Sequence, residues 1–198
     1  MSPGGRMAAA CVVAVWVAAC GQLPSRPTLD APGWSAPTWT DWELRGRIAV
    51  RTEADGWHAS FTWRQIGETF QLDLSGPLGQ GALRLRGDAA GVELERADGL
   101  RDAAPDAGAL LRRHTGWALP VTGLRYWVRG LGVPGRPATW ERNATGYPQR
   151  LRQDGWDIRY TDYRDQLGQG LLPRRVDLVR DGLRVRLLAD SWHVVPPG

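Results

Sequence analysis

From Trp39 onward, apolar and polar residues alternate, and this period of two constrains the fold more than any other feature of the chain. Leu44, Ile48 and Val50 point one way while Arg45, Arg47 and Arg51 point the other. Trp57, Ala59, Phe61 and Trp63 alternate with His58, Ser60, Thr62 and Arg64, and Phe70, Leu72 and Leu74 with Gln71, Asp73 and Ser75. Leu83 and Leu85 then alternate with Arg84 and Arg86, and Val92 and Leu94 with Glu93 and Glu95. Successive side chains of a strand face opposite ways, so each run predicts a strand with one apolar and one wet face. Asp55-Gly56, Gly67-Glu68, Gly87-Asp88 and Asp98-Gly99 fall between the runs. Asp-Gly between alternating segments is a strong hairpin signal, and the first half of the chain reads as an antiparallel meander.

The period then changes. Between Pro105 and Gly116, Leu110, Leu111 and His114 lie at helical spacing, with proline suited to a first turn and glycine to a stop. Leu124, Trp127, Val128 and Leu131 follow at i, i+3, i+4 and i+7, before Gly130, Gly132 and Pro134 end the run. This is the stripe of a short amphipathic helix. After Pro137 the strands return: Gln149 to Asp154 and Trp156 to Tyr163 flank Asp154-Gly155, and Arg174 to Arg180 and Leu183 to Trp192 flank Asp181-Gly182. The fold class is therefore mainly β with short helices. A large sheet with one apolar face must cover that face or curl around it, and two short helices cover only part. The simplest arrangement is a strongly curved antiparallel sheet, an incomplete barrel, with the helices as a lid over an apolar cavity. Side chains that fill the space completely are the alternative.

The N-terminus has another character. An apolar run from Met7 ends in Val17-Ala18-Ala19-Cys20. It is short for a membrane span and finishes in small residues, as a processed leader does. A cysteine at the cut is the mark of a bacterial lipoprotein. Residues 1–19 are read as signal peptide and Cys20 as the lipidated first residue of the mature chain, carrying N-acyl and S-diacylglycerol groups and needing no other cofactor. Residues 20–38 are the lipidated cysteine and a Pro/Ser/Gly/Ala-rich flexible tether with a reach of about 20–25 Å. Residues 39–195 form the single folded domain. Cys11 lies in the leader, so the mature domain holds no disulfide, thiolate nucleophile or cysteine metal site.

All 25 basic residues are arginine, which excludes a P-loop lysine and Schiff-base chemistry. A net charge of +4 favours acidic partners. Nucleic acid is not expected beside a membrane-anchored domain. His58, His114 and His193 occur singly, with no HExxH and no GxSxG, so neither a metal site nor a Ser–His–Asp hydrolase is indicated. Glu93 and Glu95 share a strand face, as acidic residues on wet faces commonly do. The chain reads as a non-enzyme. One local feature stands out: Ser75-Gly76-Pro77-Leu78-Gly79-Gln80 builds a tight turn with a leucine at its tip. Leu78 there has a purpose if it enters a membrane or partner, and otherwise folds back onto the core.

These pieces together resemble the LolB family, the outer-membrane receptors of the lipoprotein localisation pathway in Gram-negative bacteria. The resemblance rests on the lipobox, Leu72 to Gly79 (Leu-x-Leu-Ser-Gly-Pro-Leu-Gly), Leu119-Pro120, Leu124-Arg125-x-Trp127-x-x-Gly130-Leu131 and the C-terminal hairpin ending at Trp192. It implies an incomplete barrel with a helical lid. It also implies a lipid-anchored protein on the periplasmic side of the outer membrane, which takes acylated lipoprotein cargo from a soluble LolA-like periplasmic carrier and inserts it into outer-membrane lipid. A leucine on the protruding loop matters for insertion in that family. Leu78 matches it here, flanked by Gly76, Pro77 and Gly79. Gly21, not aspartate, follows the cysteine, in keeping with outer-membrane residence. The absent lysine and arginine-rich wet faces depart from the family pattern.

Burial of acyl chains needs apolar area, at about 0.8 kcal/mol per methylene, and no polar constellation. Ile48, Val50, Phe61, Trp63, Phe70, Leu72, Leu74, Leu83 and Leu85 are the expected cavity wall, and Leu124, Trp127, Val128 and Leu131 the lid. The protein is expected to act as a monomer. An envelope lipoprotein that binds glycan through exposed tryptophans, or another lipid, is the competing reading.

Overall fold

In a computed structural model that describes residues 33–77, 81–168 and 170–196, eleven strands form one antiparallel sheet. The strands are β1 (Trp42–Arg51), β2 (Gly56–Ile66), β3 (Thr69–Ser75), β4 (Leu83–Gly87), β5 (Val92–Arg96) and β6 (Arg101–Ala104), then β7 (Ala138–Arg142), β8 (Pro148–Gln153), β9 (Trp156–Asp165), β10 (Leu171–Arg180) and β11 (Leu183–Val194). Between β6 and β7 lie the helices α1 (Ala107–Thr115) and α2 (Val121–Trp127).

The strand order is β6-β5-β4-β3-β2-β1-β11-β10-β9-β8-β7. Two meanders are thus joined where the first strand pairs with the last, and the sheet stays open between β6 and β7. The chain must pass from one free edge to the other, and the segment that makes this passage is the helical one. Their buried Leu110, Leu111, Val121, Leu124 and Trp127 put α1 and α2 on the apolar face.

The β1–β11 seam is the longest-range pairing in the fold and is shaped by two local devices. Its register shifts between Arg45 and Gly46, which leaves Asp190 as an extra residue in β11. Arg47 grips that bulge with a two-pronged hydrogen bond to Asp190, at 3.0 and 2.9 Å. Any side chain at residue 46 would collide with the Leu188 carbonyl and the Phe61 ring, so only glycine permits the close approach. Hairpins at Asp154-Gly155 and Asp181-Gly182 have positive φ at both central residues, the type I′ geometry that matches strand twist.

The registers sort the connections into two groups. One end of the sheet gathers the β1–β2, β3–β4, β5–β6, β8–β9 and β10–β11 turns. The other gathers the start of β1, the end of β11 and the remaining turns. The expected strands are present. Two short ones were absent from the sequence reading: β6, at the expected start of the helical region, and β7, directly after Pro137.

On the outer face the arginines meet carboxylates across strands: Arg84 with Asp73, Arg101 with Glu95 at 2.9 Å, Arg186 with Asp177 at 2.7 Å, and Arg150 with Asp157. Such exposed, solvent-screened pairs each contribute little to stability. Much of the arginine excess is thus tied up in the sheet's own charge lattice.

Candidate functional site

The apolar face and the helices make one core. Ile48, Val50, Phe61, Trp63, Leu72, Leu74, Leu83 and Leu85 are buried together with Leu124, Trp127 and Val128, and Phe70 packs half-buried at the side. The second meander contributes equally, through Trp156, Ile158, Tyr160, Val176, Leu178, Val185, Leu187 and Trp192. The sequence list of wall residues left these out, although the same alternation marks them.

Both helices start elsewhere than their patterns suggested. Asp106 takes the cap of α1, its carboxylate accepting from the Ala109 N–H at 2.8 Å, so Pro105 sits before the helix and not in its first turn. Gly116 at φ 81° ends it in the left-handed conformation. α2 begins three residues before Leu124 and stops at Trp127. Gly130, at φ 75°, turns the chain away, so Leu131 lies beyond the helix and is half-buried. The stripe is real over Leu124, Trp127 and Val128; the i+7 position follows a bend.

The lid is held by a few polar clips. Arg125 grips Glu68, on the β2–β3 turn, at 2.8 and 3.0 Å, and this keeps the Glu68 carboxyl below its usual range. Arg129 is buried. It donates to the Trp39 carbonyl at 2.6 Å and the Arg125 carbonyl at 3.0 Å, and lies against the Trp39 and Tyr126 rings. Burial without a carboxylate partner lowers its pKa to about 10. Gln153 is 3% exposed and fully used: its side-chain oxygen accepts from the Trp127 indole at 2.9 Å and the Val133 N–H at 2.8 Å, while its amide donates to the Val133 and Arg136 carbonyls. Asp102 of β6 accepts from Arg113 at 2.5 Å and faces His114 of α1 at 2.7 Å, which pulls its pKa down to about 2. His58 and His193 are exposed. Among the described residues, no cluster of metal-ligating side chains occurs.

At the end that gathers five turns, the helices do not seal the sheet. A recess of about 940 Å³ opens there, within the range of about 300–1,000 Å³ usual for ligand pockets. Leu119, Pro120, Val121, Trp156 and Leu183 line it, and Glu53, Arg112, Asp154, Arg180 and Asp181 stand at its rim. Trp57 and Trp117, 5.8 Å apart between ring centres, join the start of β2 to the connection between the helices. The β3–β4 loop leaves the sheet at this same end. Gly76 and Pro77 are described, whereas Leu78 and Gly79 lie outside the described residues, as does Cys20. The opposite end is shut by rings: Trp39, Trp192, Trp42 and Trp63 meet in series at tilted and edge-on angles, 5.2–5.4 Å between centres, and Trp34 sits edge-on to Tyr147 at 5.5 Å, its backbone N–H bonded to the Thr145 carbonyl.

The family model described as "Outer membrane lipoprotein LolB" matches residues 40–192. The chain belongs to the LolB family. This family is one of outer-membrane lipoproteins and not of enzymes. The outer-membrane lipoprotein LolB of Alkalilimnicola ehrlichii is 39% identical, covering 97% of this chain and 98% of its own length. The LolB of Pseudomonas aeruginosa is 36% identical over 88% of this chain and 89% of its own, and that of Chromohalobacter salexigens 34% over 93% and 88%. The fold also matches a LolA superfamily protein from Nitrosomonas europaea, with TM-score 0.53 and 9% identity, covering 82% of this chain and 90% of that one. No helix among the described residues is long and apolar enough to cross a membrane.

Proposed function

We propose that this protein accepts acylated lipoproteins from a LolA-like periplasmic carrier and inserts them into the outer membrane, to which it is itself anchored through lipid on Cys20. The acyl chains enter between the helices and the curved sheet, through the recess lined by Leu119, Val121 and Trp156. The observation that carries this reading is the disposition of the lid. One continuous apolar face is covered by two short helices, fastened by a handful of polar clips and left open at one end. Burial of acyl chains against such a face is non-directional and strong. Transfer then needs no ATPase: the cargo moves from weaker carrier to stronger receptor to bilayer.

Two residues outside the described part complete the scheme. Cys20 holds the domain at its membrane, and Leu78, between β3 and β4, enters the bilayer during release. The test is transfer. Carrier loaded with an acylated lipoprotein is mixed with the full chain carrying Cys20→Ala, and a pulldown asks which protein holds the cargo. Cargo on this protein is the expected result, because the anchor only localises. Cargo that stays on a competent carrier contradicts the receptor reading, and binding to peptidoglycan in its place would favour the glycan alternative.

A further inference from the structure

On the outer face of the sheet, arginines stand opposite carboxylates: Arg64 faces Glu43, Arg84 faces Asp73, Arg86 faces Glu93 and Arg186 faces Asp177. Two arginines face each other across β8 and β9, Arg150 and Arg159, and there Asp157 pairs with both. One pair breaks this pattern. Arg51 of β1 lies directly opposite Arg184 of β11, both are exposed, and among the described residues neither has a carboxylate partner. Glu53 and Asp55, in the adjoining β1–β2 turn, form no ion pair with them among the described residues. Like charges directly opposite each other across strands are destabilising. The anion that Asp157 supplies at the other arginine pair is missing here.

The surroundings indicate the kind of anion. The pair lies at the end of the sheet that carries the recess and the β3–β4 connection. Beside it, toward Ser75, Gly76 and Pro77, a shallow hollow of about 360 Å³ opens on the outer face, lined by Arg47, His58, Ser60, Ser75 and Arg186 around Leu188. On the other side Val179, directly opposite Arg184, is 43% exposed. Apolar side chains set among arginines fit the boundary between water and bilayer, where the first meet acyl chains and the second meet phosphate. A guanidinium grips a phosphodiester through its two-pronged fork. We propose that Arg51 and Arg184 bind the phosphodiester of an anionic membrane phospholipid. This rests on the membrane-anchored reading above. It adds a pose for delivery: this end of the sheet rests on the bilayer, and the recess opens onto the membrane that receives the cargo.

The test is flotation with phosphatidylcholine vesicles, with and without phosphatidylglycerol. The protein is the processed form, residues 20–198 with Cys20→Ala, so that neither leader nor lipid contributes. Phosphatidylglycerol is expected to tighten binding. The double variant Arg51→Gln/Arg184→Gln is expected to bind those vesicles about thirtyfold more weakly, the contribution of two arginines at an anionic surface. Arg64→Gln/Arg86→Gln has the same net charge, removes exposed arginines at the far end of the sheet, and should lose far less. At low salt the first double variant should melt slightly higher than the unaltered chain, because the repulsion is gone. A lower melting point would mark the pair as structural and overturn the site. Equal losses for the two double variants would reduce the effect to net charge and overturn it too, as would no preference for phosphatidylglycerol. Each of these failures leaves the receptor reading standing, because transfer from the carrier is read by pulldown without vesicles.

Discussion

The two ends of the sheet are built to opposite purposes. The end where β1 starts is closed by tilted and edge-on tryptophan contacts, a buried arginine and the Arg125–Glu68 clip; Arg125 ties α2 to the β2–β3 turn, and Arg129, just beyond α2, donates to the Trp39 carbonyl. The end with five turns has a recess between helices and sheet, rimmed by exposed charged side chains, with the Trp57–Trp117 contact and the Gln153 hydrogen bonds to Trp127 and Val133 beside it. Packing density is a choice made locally: one apolar face is finished as a core at one end and left as an entrance at the other. The proposed entry of acyl chains requires the helices to part from the sheet at the recess end.

Substitutions at the two ends should therefore differ in kind. The largest loss of stability is expected for Trp42→Ala, which empties a fully buried site at the closed end and should cost about 3–5 kcal/mol in denaturant unfolding. Gln153→Leu is next, at about 2–3 kcal/mol, because it strands the Trp127 and Val133 N–H groups beside the recess. Hydrogen exchange should locate that loss in the segment from 127 to 136 rather than in the sheet.

Asp102→Asn should have a smaller effect, and one that depends on pH. The folded-state pKa is depressed to about 2, so the stabilisation is complete above the unfolded value of about 3.9 and is lost as pH falls through the folded value. Melting curves of the two proteins should differ at pH 7 and converge as pH approaches 2. Leu78→Glu is expected to leave melting unchanged and cargo acceptance intact, yet to block delivery into liposomes. Normal delivery by that variant would remove the loop from the mechanism and weaken the contrast between the ends.

Much of this architecture is legible in the sequence because alternation reports burial directly. The burial of the strand residues from Ile48 to Leu85, and of Leu124, Trp127 and Val128, could be read because each sits in a periodic run; none of them lines the recess. The short strands β6 and β7 escaped notice because Arg101–Ala104 and Ala138–Arg142, at the free edges, bury almost nothing and carry no apolar alternation. The joining of β1 to β11 is set by packing between distant segments, which no local pattern encodes. The recess was missed for a different reason: Glu53, Asp154 and Asp181 belong to turns and read only as punctuation. Arg129 and Gln153 carried a faint signal, a charged residue between Val128 and Gly130 and a glutamine before an Asp-Gly turn. Their roles depend on partners that are far away in sequence.

The central claim is that cargo lipid enters by separation of helices from sheet at the recess end. Cysteines introduced as Trp57→Cys and Trp117→Cys, in a chain with Cys11 and Cys20 replaced by alanine, allow a short, reducible bismaleimide to pin that end. Acceptance of acylated lipoprotein from the loaded carrier is measured before crosslinking, after it, and after reduction. The account predicts that acceptance is lost on crosslinking and recovered on reduction. Undiminished acceptance by the crosslinked protein would contradict it.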